Sequence, residues 1–169
     1  MSAASYSLPL PEDTRALGAA LAALLRPGDL VVLTGPLGAG KTALTQGIGD
    51  GLGITGVTSP TFVIAREHHA GRLPLVHVDA YRLGSALELD DLDLDSALED
   101  CVTVVEWGEG LAERLADSWL EVRLARGGGG DDERVARLDG RGPRWRDVAL
   151  DVLLESPPAR SSGWSPAQP

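Results

Sequence analysis

The sequence predicts a three-layer α/β sandwich in which a parallel sheet is extended by antiparallel strands. Three observations carry that prediction. Apolar runs at residues 30–33, 73–78 and 101–107 are continuous, as in strands buried on both faces. Segments with helical spacing alternate with them. Farther on, two stretches of alternating polarity flank the four glycines at 127–130, which signals an antiparallel hairpin. No internal repeat or linker divides the chain. Residues 1–155 therefore read as a single domain, and 156–169, SPPARSSGWSPAQP, as a Pro/Ser-rich disordered tail.

Each element has a local reason. Residues 11–25, PEDTRALGAALAALL, read as a helix: Pro11 suits its first position, and Glu12 and Asp13 complement its positive end. Leu17, Leu21, Leu24 and Leu25 then share one face. RPGD breaks that helix, and the strand at 30–33 follows. Behind a glycine-rich turn, KTALTQGIGDGLG reads as a second helix dissolving into glycines near residue 51. Strands are expected at 62–67 and 73–78, with HHAGR turning between them. The acidic stretch 85–99 places leucines in two short helices or helical turns with a solvated face, without a metal site. CVTVVEW is a further buried strand, and GEGLAERLADS a short helix after it. Following the hairpin, RWRDVALDVLLE at 144–155 resembles a closing helix.

Composition narrows the function classes. Of 169 residues, 43% are hydrophobic, enough for one sizeable core. The formal net charge is −10, from 25 acidic against 15 basic residues, so the chain lacks the average footprint of a direct nucleic-acid binder. Any nucleic-acid role is expected to run through a protein partner. The single cysteine, Cys101, lies in an apolar run and reads as a core thiol. The N-terminus carries no signal-peptide pattern, and no apolar stretch reaches membrane-spanning length. A soluble, cytoplasmic protein is expected.

The stretch VVLTGPLGAGKTAL, residues 31–44, fits G-x-x-x-x-G-K-[ST] through Gly35, Gly40, Lys41 and Thr42, with Gly38 added. Such a loop wraps its main-chain amides, here from Gly35 through Leu37, Gly38, Ala39 and Gly40, around a phosphate without side chains in the way. The helix beginning at Lys41 turns unpaired N–H groups and a positive dipole end toward the same anion. Lys41 would bridge the outer phosphates, and the Thr42 hydroxyl would ligate Mg²⁺. An apolar strand before the loop and an amphipathic helix after it supply the context of a P-loop NTPase-like fold. Two acids follow buried runs, Asp79 after LPLVHV and Glu106 after CVTVV. Strand C-termini share the phosphate edge of a parallel sheet, so one acid would hold Mg²⁺ and the other orient the attacking water. The residues do not divide those two roles. His77 reads as a satisfied core histidine.

Absences help as well. There is no N-K-x-D guanine motif and no L-S-G-G-Q signature, and Arg114, Arg123 and Arg126 are scattered rather than clustered as a kinase lid. GPLGAGKT, TSPTF at 58–62, HVDAYRL at 77–83 and VEWGE at 105–109 together resemble the TsaE (YjeE) family. These are small ATPases of bacterial tRNA threonylcarbamoyladenosine biosynthesis. The similarity spans roughly residues 8–140, with Ala43 standing where a second threonine is usual. The resemblance implies that Lys41 and the loop bind ATP, that Thr42 and Glu106 hold Mg²⁺, and that Asp79 is the Walker-B-like acid. It also implies that Ser59 and Thr61 lie in a switch-like loop near the γ-phosphate, and that Arg134 approaches the nucleotide. Trp107 would stand beside the nucleotide or a partner surface, or else cap the sheet as a core residue. The implied partners are TsaD and TsaB, with tRNA met only through them. Slow hydrolysis would cycle that complex, and with no arginine finger evident near the loop the isolated ATPase should be weak. Two rivals are a small-molecule kinase and a binding module stabilised by its nucleotide.

Overall fold

The computed structural model describes residues 2–60, 64–82, 98–110 and 114–154. In chain order the elements are β1 (Ser2–Leu8), α1 (Pro11–Ala22), β2 (Leu30–Thr34), α2 (Lys41–Leu52), β3 (Ala65–His68) and β4 (Leu75–Asp79). Then come β5 (Val102–Glu106), β6 (Trp119–Arg126) and β7 (Arg134–Arg141). They build one seven-stranded sheet in the order β1-β7-β6-β2-β5-β4-β3. β6, β2, β5 and β4 are mutually parallel, while β7 and β1 extend one edge and β3 the other in antiparallel fashion.

All of β2 and β5 is buried, as largely apolar strands covered on both faces require, with Thr34, Thr103 and Glu106 buried among the aliphatic residues. Alternation sends Val31, Leu33, Val102 and Val104 to one face, where Leu17, Leu21, Leu44 and Ile48 of the two helices meet them. Leu30, Val32, Val76, Val78 and Val105 form a second cluster on the opposite face, with Leu115, Ala116 and Trp119 packed against it. The helices expected within 85–99 lie almost wholly outside the described residues, whereas the described residues of 108–118, namely 108–110 and 114–118, are mostly turns and bends rather than the short helix expected there. Helix α1 opens with the Leu10 N–H donating to the Asp13 carboxylate at 2.9 Å, the return half of a capping box. It ends at Ala22, three residues short of the sequence expectation, although Leu25 is still buried. Among the described residues no helix is long and apolar enough to cross a membrane.

Three further segments differ from the sequence reading. Residues 144–154 of the expected closing helix are not helical: a 3-10 turn at Pro143–Trp145 is followed by irregular turns through Leu154. Trp145 and Leu150 are fully buried. The carbonyls of Val148 and Leu150 accept hydrogen bonds from the Ser2 and Tyr6 hydroxyls, so they are spent on β1 instead of a helical ladder. Helical apolar spacing here serves a segment laid against a strand. That strand, β1, is the second difference. SAASYSL alternates small residues, too weak a pattern to announce itself, and becomes a strand because β7 offers it a free edge. Third, β3 runs from Ala65 to His68, shifted toward the expected turn.

Candidate functional site

The turn between β2 and α2 is built for glycine. Gly35 has φ +138°, and a Cβ there would fall 2.2 Å from the Leu124 carbonyl oxygen. Gly40 caps α2 in the left-handed region at φ +101°. Ala39 turns its methyl into the core, while Leu37 is 85% exposed at the loop crest. The loop thus sets its amides and the first turn of α2 around one point, an arrangement suited to an anion.

Lys41 is only 5% exposed. Its Nζ donates to the carbonyls of Gly35 at 2.8 Å and Pro36 at 2.9 Å, and lies 3.9 Å from the centre of the Trp107 ring. Burial lowers its pKa, and the charges of Glu106 and Asp79 work against that fall. A buried ammonium held by two carbonyls and an aromatic face can exchange those carbonyls for phosphate oxygens.

Asp79 and Glu106 are register partners on parallel strands. Alternation places both on the face that carries α2, beside Leu75 and Val104. Asp79 accepts the Tyr81 N–H at 3.0 Å. Glu106, 5% exposed, lies 2.8 Å from His77 Nε2. The Thr42 and Ser59 hydroxyls meet at 2.9 Å. Leu37, Gly38, Gly40, Lys41, Thr42, Ser59, Asp79, Glu106 and Trp107 all line one cavity of about 340 Å³. Nine of the residues read from sequence are therefore brought together. Thr61 lies outside the described residues.

Trp107 is the sole described non-glycine residue with positive φ, at 60°. Its N–H donates to Leu33 O at 3.0 Å, continuing the parallel β2–β5 ladder one residue past the strand end, and its ring stands beside Lys41. Backbone strain of this kind persists where surrounding contacts enforce it. Of the two readings offered for this tryptophan, the one at the phosphate loop matches its position. Tyr81 packs against it, with ring centres 5.2 Å apart at 53°.

Arg134 donates to Gly38 O at 3.2 Å, tying the β6–β7 hairpin to the phosphate loop. Its register partner Arg126 stands on the same side, with Nη2 3.8 Å from where a Gly38 Cβ would be. Two guanidinium groups thus flank the loop: the family resemblance points to Arg134, whereas Arg126 reads from sequence as one of several scattered arginines, because only hairpin pairing brings it there. They approach from the β6 side of β2, whereas Asp79 and Glu106 approach from the β5 side. Sequence reading also missed the contact of His77 with Glu106, since strand pairing across 29 residues makes it. Cys101 is buried as expected, and burial raises its thiol pKa.

The family model described as threonylcarbamoyl adenosine biosynthesis protein TsaE matches residues 8–135. A Streptomyces coelicolor tRNA threonylcarbamoyladenosine biosynthesis protein TsaE is 55% identical over 145 residues, covering 82% of this chain and 98% of the relative. The Mycobacterium tuberculosis protein of the same name is 52% identical over 149 residues, covering 82% and 84%. The crystal structure of Bacillus subtilis YdiB superposes with a TM-score of 0.71 at 36% identity, covering 85% of this chain and 89% of that one.

Proposed function

This chain belongs to the TsaE family, and from that premise we propose that it is a Mg²⁺-dependent ATPase serving threonylcarbamoyl modification of adenosine in tRNAs that read A-starting codons. The observation that carries the proposal is one cavity shared by the phosphate loop, Lys41, Thr42, Asp79 and Glu106. A hydroxyl and two carboxylates are hard oxygen donors of the kind Mg²⁺ takes, set beside the positive end of a helix. The residues therefore fit the ion: Thr42 with Glu106 or Asp79 would hold it, and it would neutralise charge on the phosphates of ATP.

The protein's own groups divide the remaining work. The loop amides and the α2 N-terminus receive the phosphates. Lys41 releases the Gly35 and Pro36 carbonyls and pairs with the anion. The carboxylate not engaged with metal accepts a hydrogen bond from the attacking water and aligns it. Ser59 holds the Thr42 hydroxyl, and Thr58 next to it accepts from Arg66 at 2.6 Å. Nucleotide arriving at Thr42 therefore acts on a loop also anchored to β3, and that loop can present a nucleotide-dependent docking surface.

An acidic chain suits a protein partner better than bare RNA, in keeping with TsaD and TsaB as the cytoplasmic complex it cycles. Reconstitution tests this. Purified chain with TsaD and TsaB should hydrolyse ATP faster than the chain alone and should be required for repeated rounds of tRNA modification. Equal hydrolysis with and without partners, or modification that continues without this chain, would refute the proposal.

A further inference from the structure

We infer that His77 is a positioning residue for Glu106, fixing the rotation of that carboxylate so that one oxygen is presented to the nucleotide-bound metal. The inference rests on the assignment of Glu106 as a metal-site acid. His77 stands on β4 two residues before Asp79 and is completely buried. Its Nε2 lies 2.8 Å from Glu106 Oε1, the sole hydrogen bond found for the Glu106 carboxylate among the described residues. A carboxylate only accepts, so Nε2 is the donor in this contact. The His77 Nδ1 is buried and finds no hydrogen-bond partner among the described residues.

Stability alone does not favour this arrangement. An imidazole with one ring nitrogen unsatisfied, lodged in a core face with Leu75 and Val104, is worse for packing than an aliphatic side chain of like volume. What the histidine does supply is direction. Its N–H engages Oε1 and leaves Oε2 without a hydrogen-bond partner among the described residues, in a carboxylate that lines the cavity together with Asp79 and Thr42. Outer partners of this kind orient a ligating carboxylate and tune its hold on a metal. Because His77 is on β4 and Glu106 on β5, the contact also locks together the two strands that deliver the acids.

The test follows ATP binding by calorimetry as Mg²⁺ is titrated, with binding in EDTA as the metal-free control. For His77→Leu, the Mg²⁺ concentration at half-effect should rise about 10–100-fold, while metal-free binding changes less than about 2-fold. His77→Gln, whose amide can place an N–H near the Nε2 position, should stay within about 3-fold of the parent. His77→Asn stays polar but does not reach Glu106, and it replaces the leucine variant if that fails to fold. In the unaltered protein, ¹⁵N shifts of the His77 ring should show the proton on Nε2. An unchanged Mg²⁺ dependence in folded His77→Leu or His77→Asn, equal behaviour of the glutamine and leucine variants, or an Nε2 without a proton would overturn the inference. Glu106→Gln separates the two levels. If it leaves the Mg²⁺ dependence unchanged, the metal-site assignment falls and takes the inference with it. If it shifts the dependence and the His77 variants do not, only the inference falls.

Discussion

Replacing Gly47 by alanine should destabilise the protein, although the same change on an exposed helix would stabilise it. Gly47 lies in α2 against α1. A Cβ there would stand 2.0 Å from the Arg15 carbonyl oxygen and 2.8 Å from its carbon. The obstacle is main chain, so no side-chain rotation relieves it, and the two helices must part by roughly 1 Å in a close-packed interface. Removing a helical glycine gains about 1 kcal/mol, whereas overpacking a rigid contact costs about 1–3 kcal/mol. Backbone against backbone belongs at the upper end of that range. The net expectation is a loss of about 1–2 kcal/mol, or roughly 2–8 °C in Tm for a chain of this size. Since α2 begins at Lys41, the displacement should also weaken ATP binding. Urea denaturation monitored by circular dichroism measures the first effect and calorimetry the second. Gly128→Ala is the control, because nothing lies within 4 Å of the added carbon, and it should be neutral or slightly stabilising. A Gly47→Ala variant as stable as its parent would refute the reasoning, by showing that helix propensity outweighs the helix–helix contact.

Other outcomes follow from the same structure. Arg144 grips Asp29 through Nε and Nη2, both at 2.9 Å, and also donates to Leu24 O. Arg144→Ala would leave a carboxylate that is 4% exposed without its cation, costing about 3 kcal/mol by urea denaturation. An unaltered midpoint would contradict that. Arg134→Ala should weaken ATP binding roughly 5–10-fold through loss of its tie to Gly38, with little change in global stability; equal affinity by calorimetry would dismiss the hairpin from the site. Cys101 should alkylate more slowly than a free thiol throughout pH 7–8.5, because burial raises its pKa and keeps the protonated form. Urea should abolish the protection, and rapid labelling of the native protein would count against the burial.

The phosphate loop was legible from sequence because its chemistry is local. Three glycines, a lysine and a threonine in consecutive chain, between an apolar strand and a helix, leave few other uses. Asp79 and Glu106 were legible for a related reason, as each directly ends an apolar run. What escaped notice was made by pairing distant segments. His77 acquires its partner only when β4 lies beside β5, and Arg126 comes up to Gly38, beside the Arg134 to which the family resemblance points, only when the hairpin closes. The closing helix was misread because Trp145, Val148, Ala149, Val152 and Leu153 have helical spacing, yet β1 claims the carbonyls that a helix would need. β1 in turn is held by the exposed edge of β7 more than by its own residues.

Titration calorimetry of Mg·ATP into the purified chain, beside Lys41→Ala, tests the central claim most directly. Lys41 is the one side chain that must trade two carbonyls for phosphate oxygens. The account predicts saturable binding at one site, weakened roughly 30–150-fold by the substitution, the equivalent of about 2–3 kcal/mol for a charge-assisted contact. Absence of heat from the parent protein, or equal affinity in the Lys41→Ala variant, would contradict it.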